Sequence, residues 1–433
     1  MPLKSVTSYN NKTLLQSYKI MERKYSFDPS GLKAVVAENV HPQAIAIFER
    51  QGYPVTTYPK SLSENELKDV LPGTRVLCIR SNTKLNRKAV ESGKNLLVAG
   101  AFCVGTNQID LDACTEHGIT VFNDPISNTR SVAELVMSEI TMLSRGIPDK
   151  SQKMHEGIWD KSAKDSTEMR GKTLGIVGYG NVGSQLSEMA EAAGMKVIYY
   201  DIADTLSRGN ALKMETLGDV LKEADVVSLH VDGRKKNTNP PLIRKEEFDI
   251  MKEGAIFLNL SRGSVVDVEA LAEKIKLGKI KGAAIDVFPH EPSSKDEEFN
   301  SPLRGLPNVI LTPHIGGSTE EAQERIGGFV ARKIVDFINT GNTMGSVNMP
   351  NVQPLPQEDR HRLLHIHEND NIPRIIADIN HILSNRGVKG ASTSSNFNSA
   401  VGYAIFDIDK GYDKRALREL RSVPGTIRSR VLY

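Results

Sequence analysis

The chain has 433 residues and an almost balanced charge, with 55 Lys and Arg against 53 Asp and Glu. At ~150 residues per domain, this length predicts about three domains, each long enough to bury a core. The balanced charge argues against a nucleic-acid-binding protein with a broad basic surface. No run approaches the ~18 apolar residues of a membrane span. The three cysteines have neither disulfide-framework nor metal-ligand spacing, so we expect a reducing, cytoplasmic compartment and no metal site.

The first 27 residues precede the first apolar run of the chain. This segment is basic, rich in Ser and Thr, and has no acid before Glu22, as is typical of an organellar presequence. However, it has no Arg before Arg23 and no long apolar helix face. We therefore expect residues 1–27 to be an N-terminal extension, with a presequence as the alternative.

Short apolar runs then alternate with helical patterns. Runs such as RVLCIR at 75–80 are rich in Val, Ile and Leu and end in polar or Gly residues. Such runs are typical of parallel strands covered by helices on both faces. A helical pattern follows at 131–146, with Ser131 as its predicted cap and Gly146 as its stop.

A second alternation of strands and helices runs from residue 171 to residue 314. Its strand signals are KTLGIVGYG, KVIYYD, DVVSLHV, AIFLNLS, GAAIDVF and NVILTPH. A long helical pattern covers 315–341. The two alternating regions together predict an α/β fold with doubly wound parallel sheets.

The last part of the chain has a different pattern. The Pro-spaced stretch around 349–359 lacks apolar periodicity, and we predict a linker at 351–359. Residues 360–433 then show the order βαββαβ, which is that of a small ferredoxin-like domain. The first predicted helix of this domain carries an apolar stripe between Ile372 and Leu383.

A glycine-rich turn, Gly178-Tyr179-Gly180-Asn181-Val182-Gly183, directly follows the apolar strand LGIV. Such glycines allow a tight turn, close approach of a pyrophosphate and close helix packing. Asp201 ends the next strand, where a carboxylate can accept ribose hydroxyls and repel a 2′-phosphate. The motif therefore predicts NAD rather than NADP. A glycine turn in another doubly wound protein, including one that binds a methyl donor, is the alternative.

Three residues whose side chains could take complementary roles in one reaction follow strands of this same region: Arg262, Glu291 and His314. Ligands of such sheets bind beyond the strand ends. A guanidinium can hold a substrate carboxylate through two hydrogen bonds. A His can exchange the proton of a 2-hydroxy or 2-keto group during hydride transfer, and a neighbouring carboxylate raises its pKa and fixes its tautomer.

These motifs resemble those of the D-isomer-specific 2-hydroxyacid dehydrogenases, and the similarity runs from about residue 30 to Tyr433. SRGSVVD, DVFPHEP and TPHIGG carry the family resemblance, whereas GTNQIDLDA, SNTRSVAELV and the C-terminal module resemble its phosphoglycerate branch. The resemblance implies oxidation of 3-phospho-D-glycerate to 3-phosphohydroxypyruvate with NAD, the first step of the phosphorylated route to L-serine. It also implies a side activity on 2-oxoglutarate.

The resemblance assigns roles to individual residues. Arg262 would orient the substrate, Glu291 would pair with His314, and His314 would donate or accept the proton. The family's cofactor positions correspond to Gly178, Gly180, Asn181, Val182, Gly183, Asp201, Leu260, Ser261, Arg262, Asp286, His314, Ile315, Gly316 and Gly317. Substrate positions correspond to Arg80, Ser81, Asn128 and Arg262, and Lys161 would reach a neighbouring subunit's site. Trp159 likewise resembles a residue that reaches the neighbouring subunit's site, and the alternative is that it is only a packing anchor between subunits. The resemblance implies a homo-oligomer, dimer or tetramer.

The resemblance also implies how the domains are arranged. A flavodoxin-like substrate-binding domain would comprise 28–127 and 317–350, interrupted by a Rossmann NAD-binding domain at 128–316. Residues 360–433 would be an ACT-type regulatory domain, which in some relatives binds L-serine. His367 and either Asn369 or Asn371 would contact this effector. Arg374 and Lys389 depart from the serine-binding pattern, so an altered effector or oligomerisation alone are the alternatives.

Two other functions share this scaffold. One is a reductase of glycerate or hydroxypyruvate, against which Arg80-Ser81 and the C-terminal module argue. The other is a non-catalytic NAD-sensing protein, which is not expected to carry an ACT-type module.

Overall fold

The computed structural model describes residues 28–232, 241–292, 296–355, 360–369, 372–388, 390–409 and 414–432. They form three sheets, two parallel and one antiparallel. The predicted α/β class, with its flavodoxin-like, Rossmann and ferredoxin-like parts, is confirmed. No helix within the described ranges has both the length and the apolar character needed to cross a bilayer.

The first sheet has five parallel strands in the order β2-β1-β3-β4-β5, the flavodoxin-like order. Its elements are β1 (Ala34–Ala37), α1 (Pro42–Arg50), β2 (Val55–Tyr58), α2 (Glu64–Val70), β3 (Val76–Ile79), α3 (Arg87–Ser92), β4 (Val98–Ala101), α4 (Leu111–Glu116) and β5 (Thr120–Phe122). Strands β1, β3, β4 and β5 are buried along their whole length, as the apolar runs predict.

The second sheet has seven parallel strands in the order β12-β11-β10-β9-β6-β7-β8. The elements of this part are α5 (Thr129–Arg145), α6 (Ile147–His155), β6 (Thr173–Val177), α7 (Asn181–Ala192), β7 (Lys196–Tyr200), β8 (Leu212–Lys213), α8 (Leu217–Glu223), β9 (Val226–Leu229), α9 (Lys245–Ile250), β10 (Ala255–Asn259), α10 (Val268–Lys276), β11 (Ile280–Ile285) and β12 (Val309–Leu311). The strand order reverses between β6 and β9. In doubly wound sheets a ligand crevice lies at this point, beyond the carboxyl ends of the strands.

Helix α5 connects the two parallel sheets. Gly146 ends it in a left-handed conformation with φ of 61°, as predicted. The prediction that Ser131 caps its start is wrong, because the helix begins two residues earlier, after Asn128. The Ser131 hydroxyl instead lies 2.8 Å from the hydroxyl of Thr319, which caps a later helix.

That later helix is α11 (Glu320–Thr340), which brings the chain back to the first sheet. Its Val330 and Ile334 side chains pack on Gly100 of β4, where a Cβ atom would lie within 3 Å of both. The helix starts five residues later than the predicted 315, because Thr319 is its N-cap and accepts the N–H of Ala322. Ile315 and Gly316 lie before the helix and donate their N–H groups to Asp286. The exact domain boundaries given above stay predictions.

The third sheet is antiparallel, with the order β14-β15-β13-β16. Its elements are β13 (His361–Glu368), α12 (Ile372–Asn385), β14 (Gly390–Phe397), β15 (Val401–Ile408), α13 (Lys414–Leu420) and β16 (Thr426–Val431). The order βαββαβ is the predicted one. One face of this sheet, which includes Leu364 and Ile405, joins the apolar core of the first sheet and α11.

Polar groups of this C-terminal sheet hold the end of α11. The Tyr403 hydroxyl donates to the Gly341 carbonyl at 2.7 Å, and the Arg362 guanidinium donates to the Thr340 carbonyl at 3.2 Å. Arg362 also donates two hydrogen bonds, at 2.7 and 3.0 Å, to the carboxylate of Asp407. Both side chains of this ion pair are almost fully buried.

We predict that Arg362→Met destabilises the C-terminal sheet by ~3–5 kcal/mol, because it leaves the Asp407 carboxylate buried without its cation. Urea unfolding followed by circular dichroism measures the effect. Lys68→Met, at the exposed Lys68–Glu64 pair, is the matched control and should leave the midpoint almost unchanged. Equal midpoints for the two variants would contradict the prediction.

Candidate active site

The three residues predicted to act together, Arg262, Glu291 and His314, follow strands β10, β11 and β12. These strands are adjacent and parallel, so their carboxyl ends lie along one edge of the second sheet. Nδ1 of His314 lies 2.9 Å from Oε2 and 3.1 Å from Oε1 of Glu291. The structure therefore forms the predicted His–carboxylate pair.

A turn over the buried carboxylate of Asp286 positions His314. One Asp286 oxygen accepts from the Thr312 hydroxyl at 2.7 Å and from the Ile315 N–H at 2.8 Å, and the other accepts from the Gly316 N–H at 2.8 Å. His314 itself has a φ of 55°, a left-handed conformation that is uncommon for a residue with a side chain. Such strain persists where the surroundings hold it in place, and it is concentrated at functional sites.

Glu291 and Arg262 lie on loops that are packed tightly against each other. Glu291 accepts a hydrogen bond from the N–H of Phe288 at 3.2 Å. The same Phe288 backbone covers Gly263, where a Cβ atom would lie 2.0 Å from the Phe288 carbonyl carbon. Only glycine fits next to Arg262, and the close contact keeps the two loops together.

The pair is electrostatically coupled. The hydrogen bond that His314 Nδ1–H donates to Glu291 raises the pKa of His314, against an opposing effect of burial. Burial opposes ionisation of Glu291, but its hydrogen bond and charge interaction with His314 outweigh this and lower the pKa of Glu291. The arrangement therefore stabilises an imidazolium next to a carboxylate, with Nε2 as the ring nitrogen that Glu291 leaves available.

The loops of the first sheet face this edge. Arg80 follows β3 and is half-buried, and Ser81 beside it is exposed. Next along the sheet, a Cβ atom on Gly105 would lie 3.8 Å from Nη2 of Arg262, so the guanidinium spans the gap between the two parts of the chain. Asn128 lies against Gly317, where a Cβ atom would be 2.3 Å from the Asn128 amide nitrogen. Through the contact between Gly105 and Arg262, the loops of the first sheet thus lie next to the strand ends of the second sheet, and the space between them is called the cleft below.

The glycine-rich turn has the geometry required to bind a pyrophosphate. Gly178 has a φ of 93° and contacts the carbonyl of His230, and Gly183 packs against the carbonyl of Gly178. In contrast, a Cβ atom on Gly180 would meet no atom within 4 Å, so the backbone is open on that side. Helix α7 begins at Asn181 without a side-chain cap, which leaves its first N–H groups available for phosphate oxygens.

Asp201 lies at the end of β7, next to this turn. Its carboxylate accepts hydrogen bonds from the N–H groups of Tyr179 at 2.6 Å and Ala203 at 2.8 Å. Each carboxylate oxygen has a second lone pair for a ribose hydroxyl. The residues present therefore fit a dinucleotide without a 2′-phosphate.

Other predicted residues lie apart from this cleft or outside the description. Lys161 is exposed and forms no ion pair with a described residue, and Trp159 near it is 77% exposed. His367 lies in β13 of the C-terminal sheet, and Asn369 directly follows this strand, where its amide donates to the Asn398 carbonyl at 2.7 Å. Asn371 lies outside the described residues.

Two residues near the cleft were not predicted. His230 lies under the glycine-rich turn, 2.9 Å from the Ser228 hydroxyl, and burial lowers its pKa to about 4. Glu38 follows β1 and accepts hydrogen bonds from the loop of Arg80. The segment SLHV contributed to the resemblance but suggested no role, and nothing in the spacing of Glu38 connects it to Arg80.

Comparisons with known proteins agree with this geometry. The family model described as "D-isomer specific 2-hydroxyacid dehydrogenase, NAD binding domain" matches residues 137–316. D-3-phosphoglycerate dehydrogenase from Haemophilus influenzae is 46% identical, over 95% of this chain and 100% of the relative. D-3-phosphoglycerate dehydrogenase 1 from Saccharomyces cerevisiae is 44% identical, over 94% of this chain and 89% of the relative.

Solved structures are similar to this chain over about three quarters of its length. D-2-hydroxyisocaproate dehydrogenase is 26% identical with a TM-score of 0.65, covering 73% of this chain and 100% of that one. D-lactate dehydrogenase from Aquifex aeolicus, complexed with NAD and lactic acid, is 26% identical with a TM-score of 0.62, covering 73% and 100%. From the near full-length relatives, the family profile and the His–Glu pair, the chain belongs to the D-isomer-specific 2-hydroxyacid dehydrogenase family.

Proposed function

We propose that this chain oxidises 3-phospho-D-glycerate to 3-phosphohydroxypyruvate with NAD, the first step of the phosphorylated route to L-serine. The observation that carries the proposal is the His314–Glu291 pair beside Arg262, at the edge of a sheet whose glycine-rich turn fits a dinucleotide. The near full-length similarity to D-3-phosphoglycerate dehydrogenases supports this substrate.

The reaction removes a proton and a hydride from the substrate. The glycine-rich turn and Asp201 would hold NAD, which would supply the acceptor for the hydride that leaves C2. Nε2 of His314 takes the proton of the C2 hydroxyl as the ketone forms, and Glu291 stabilises the resulting imidazolium. Arg262 holds the substrate carboxylate in place through its guanidinium. In the reverse direction His314 returns the proton.

The cofactor positions assigned from the resemblance are also part of the proposal. The Asn181-Val182 turn would bind the pyrophosphate, and Leu260, Ser261, Asp286 and the His314–Gly317 segment would lie along the nicotinamide half. Asp286 is only 1% exposed and its oxygens hold the His314 turn. Its contribution therefore includes positioning that turn.

Arg80 and Ser81 are proposed to bind the substrate phosphate, because a guanidinium and a hydroxyl suit a dianionic group. Asn128 and Arg262 would complete the substrate site from the opposite side. The half-buried guanidinium of Arg80 has no hydrogen-bonding partner among the described residues. A glycerate or hydroxypyruvate reductase would not need this cation, whereas the second anionic group of 2-oxoglutarate could use it in a side activity.

We further propose a homo-oligomer, dimer or tetramer, located in the cytoplasm. The exposed apolar side chains of Ile158 and Trp159 support association with a second copy, and they bring Lys161 close to such a contact. Lys161 would then complete the substrate site of the neighbouring subunit.

The proposal includes an ACT-type regulatory role for the C-terminal sheet, with L-serine as effector. The ferredoxin-like order of its elements and the position of Asn369 directly after β13 support it. His367 is buried, and its ring packs over Gly402. We expect the oxidation rate to fall as L-serine is raised into the millimolar range. An unchanged rate would contradict the regulatory part alone.

We predict that His314→Gln lowers kcat for 3-phosphoglycerate oxidation by ~10²–10⁴-fold, because glutamine cannot accept the hydroxyl proton. Steady-state formation of NADH measures the rate. Binding of NADH, followed by fluorescence, should change little, since the glycine-rich turn is intact. His155→Gln on α6 is the matched control and should keep wild-type kcat. Turnover by the wild type with no loss in His314→Gln would refute the role of His314, and no wild-type turnover would refute the proposed function.

We predict that Glu291→Gln moves the acid limb of the oxidative kcat/KM profile to lower pH. Oxidation needs neutral His314, whose pKa Glu291 raises, so activity is lost as the pH falls through that raised pKa. Removing the carboxylate lowers the pKa of His314, and the loss of orientation lowers the plateau rate. Glu298→Gln, at an exposed Glu, is the control and should leave the profile in place. An acid limb that stays in place in Glu291→Gln would contradict the coupling.

A further inference from the structure

Glu38 directly follows strand β1 and has an unusual backbone conformation. Its φ is 63° and that of the next residue, Asn39, is 49°, so two consecutive residues with side chains are left-handed. Glu38 is also only 7% exposed. Both features are costly, and such strain persists only where surrounding contacts hold it in place.

The buried carboxylate accepts three backbone hydrogen bonds from the loop that follows β3. The Thr83 N–H donates at 2.8 Å and the Arg80 N–H at 3.2 Å to one oxygen, and the Asn82 N–H donates at 2.9 Å to the other. Strand β1 pairs with β3, which brings Glu38 next to residues more than 40 positions away. Of the four residues from 80 to 83, only the exposed Ser81 does not donate its N–H to Glu38.

The carbonyl of Arg80 is held as well, from the other side. The Gln108 amide donates to this carbonyl at 2.6 Å and to the Gly105 carbonyl at 3.3 Å. Gln108 is itself 6% exposed. Because Gly105 faces Arg262, these contacts connect the Arg80 loop to the loop across from the proposed carboxylate-binding group.

The backbone N–H groups of Arg80, Asn82 and Thr83 stabilise the negative charge of the Glu38 carboxylate. Among the described residues, no Lys or Arg nitrogen lies within ion-pair distance of its carboxylate. Hydrogen bonds from N–H groups to a carboxylate are roughly twice as strong as neutral ones. The backbone of the loop is therefore fixed without use of the Arg80 guanidinium, which stays available for a ligand.

We propose that Glu38 is a positioning residue for recognition of the substrate phosphate. It holds the Arg80–Ser81 loop so that the guanidinium and the hydroxyl face the phosphate-bearing end of the substrate, and Gln108 supports the same loop. The inference rests on the proposed function and extends it, because it assigns selectivity for a phosphorylated 2-hydroxy acid to a buried carboxylate behind the site.

The test compares Glu38→Gln with the wild type on 3-phosphoglycerate and on D-glycerate. Glutamine has the same shape, but its NH₂ group faces an N–H donor and leaves that donor without an acceptor. We expect KM for 3-phosphoglycerate to rise about tenfold, the change expected when one buried hydrogen bond to a charged group is lost. The kcat, the KM for NAD and the kcat/KM for D-glycerate should change less than about threefold, within the effect of a single weak contact.

Gln108→Leu is the second variant, which removes the bond to the Arg80 carbonyl and leaves Glu38 in place. It should also raise KM for 3-phosphoglycerate while kcat/KM for D-glycerate and KM for NAD change little. This variant replaces Glu38→Gln as the test if Glu38→Gln strongly lowers the melting temperature. Glu64→Gln, on helix α2 outside the loop, is the matched control and should behave as the wild type.

Each outcome either supports or contradicts the proposed role of Glu38. A selective rise of KM for 3-phosphoglycerate supports the inference. Equal losses with both substrates and with NAD indicate a merely structural role and overturn it, as does an unchanged ratio of kcat/KM for the two substrates. A wild-type chain that does not oxidise 3-phosphoglycerate overturns the proposed function, and the inference falls with it.

Discussion

The buried carboxylate of Asp286 holds the turn that carries His314, the residue proposed to exchange the substrate proton. It binds the turn before and after His314, through Thr312 on one side and Ile315 on the other. Because both sides are held, His314 keeps a left-handed backbone that a free loop would abandon. The same conformation directs the ring to Glu291, and the hydrogen bond with Glu291 then raises the pKa of His314. Thus one short set of hydrogen bonds determines geometry and electrostatics together.

Much of the site could be predicted because it follows from strand ends. Arg262, Glu291 and His314 follow adjacent parallel strands, and such strands end at one edge by construction. The start of α11 could not be predicted in this way. It is indicated by local signals instead, because Gly316 and Gly317 disfavour a helix and Thr319, followed by Glu320 and Glu321, is typical of a helix N-terminus. The contacts of Ile315 and Gly316 with Asp286, about 30 positions earlier in the chain, could not be predicted from a local pattern.

The role of Glu38 was hidden for a related reason. Its contact with the Arg80 loop depends on the pairing of β1 with β3, which is a property of the sheet order and of no local motif. Lys161 shows a different limit. Its predicted role requires a second copy of the chain, and in one copy the side chain simply faces solvent. The sequence therefore predicts site residues best where they follow adjacent strands of one parallel sheet. It predicts them least well where the residues meet only through the order of the strands or through contact with a second subunit.

Helix α11 connects the turn that carries His314 with the C-terminal sheet. Its 21 residues span about 31 Å, from Thr319 near the His314 turn to Gly341, whose carbonyl Tyr403 of the C-terminal sheet holds. Over such a length, a tilt of about 2° at one end displaces the other by about 1 Å, a distance that can change a catalytic rate ~10²-fold. The helix thus provides a continuous covalent connection between the C-terminal sheet and the turn that carries His314.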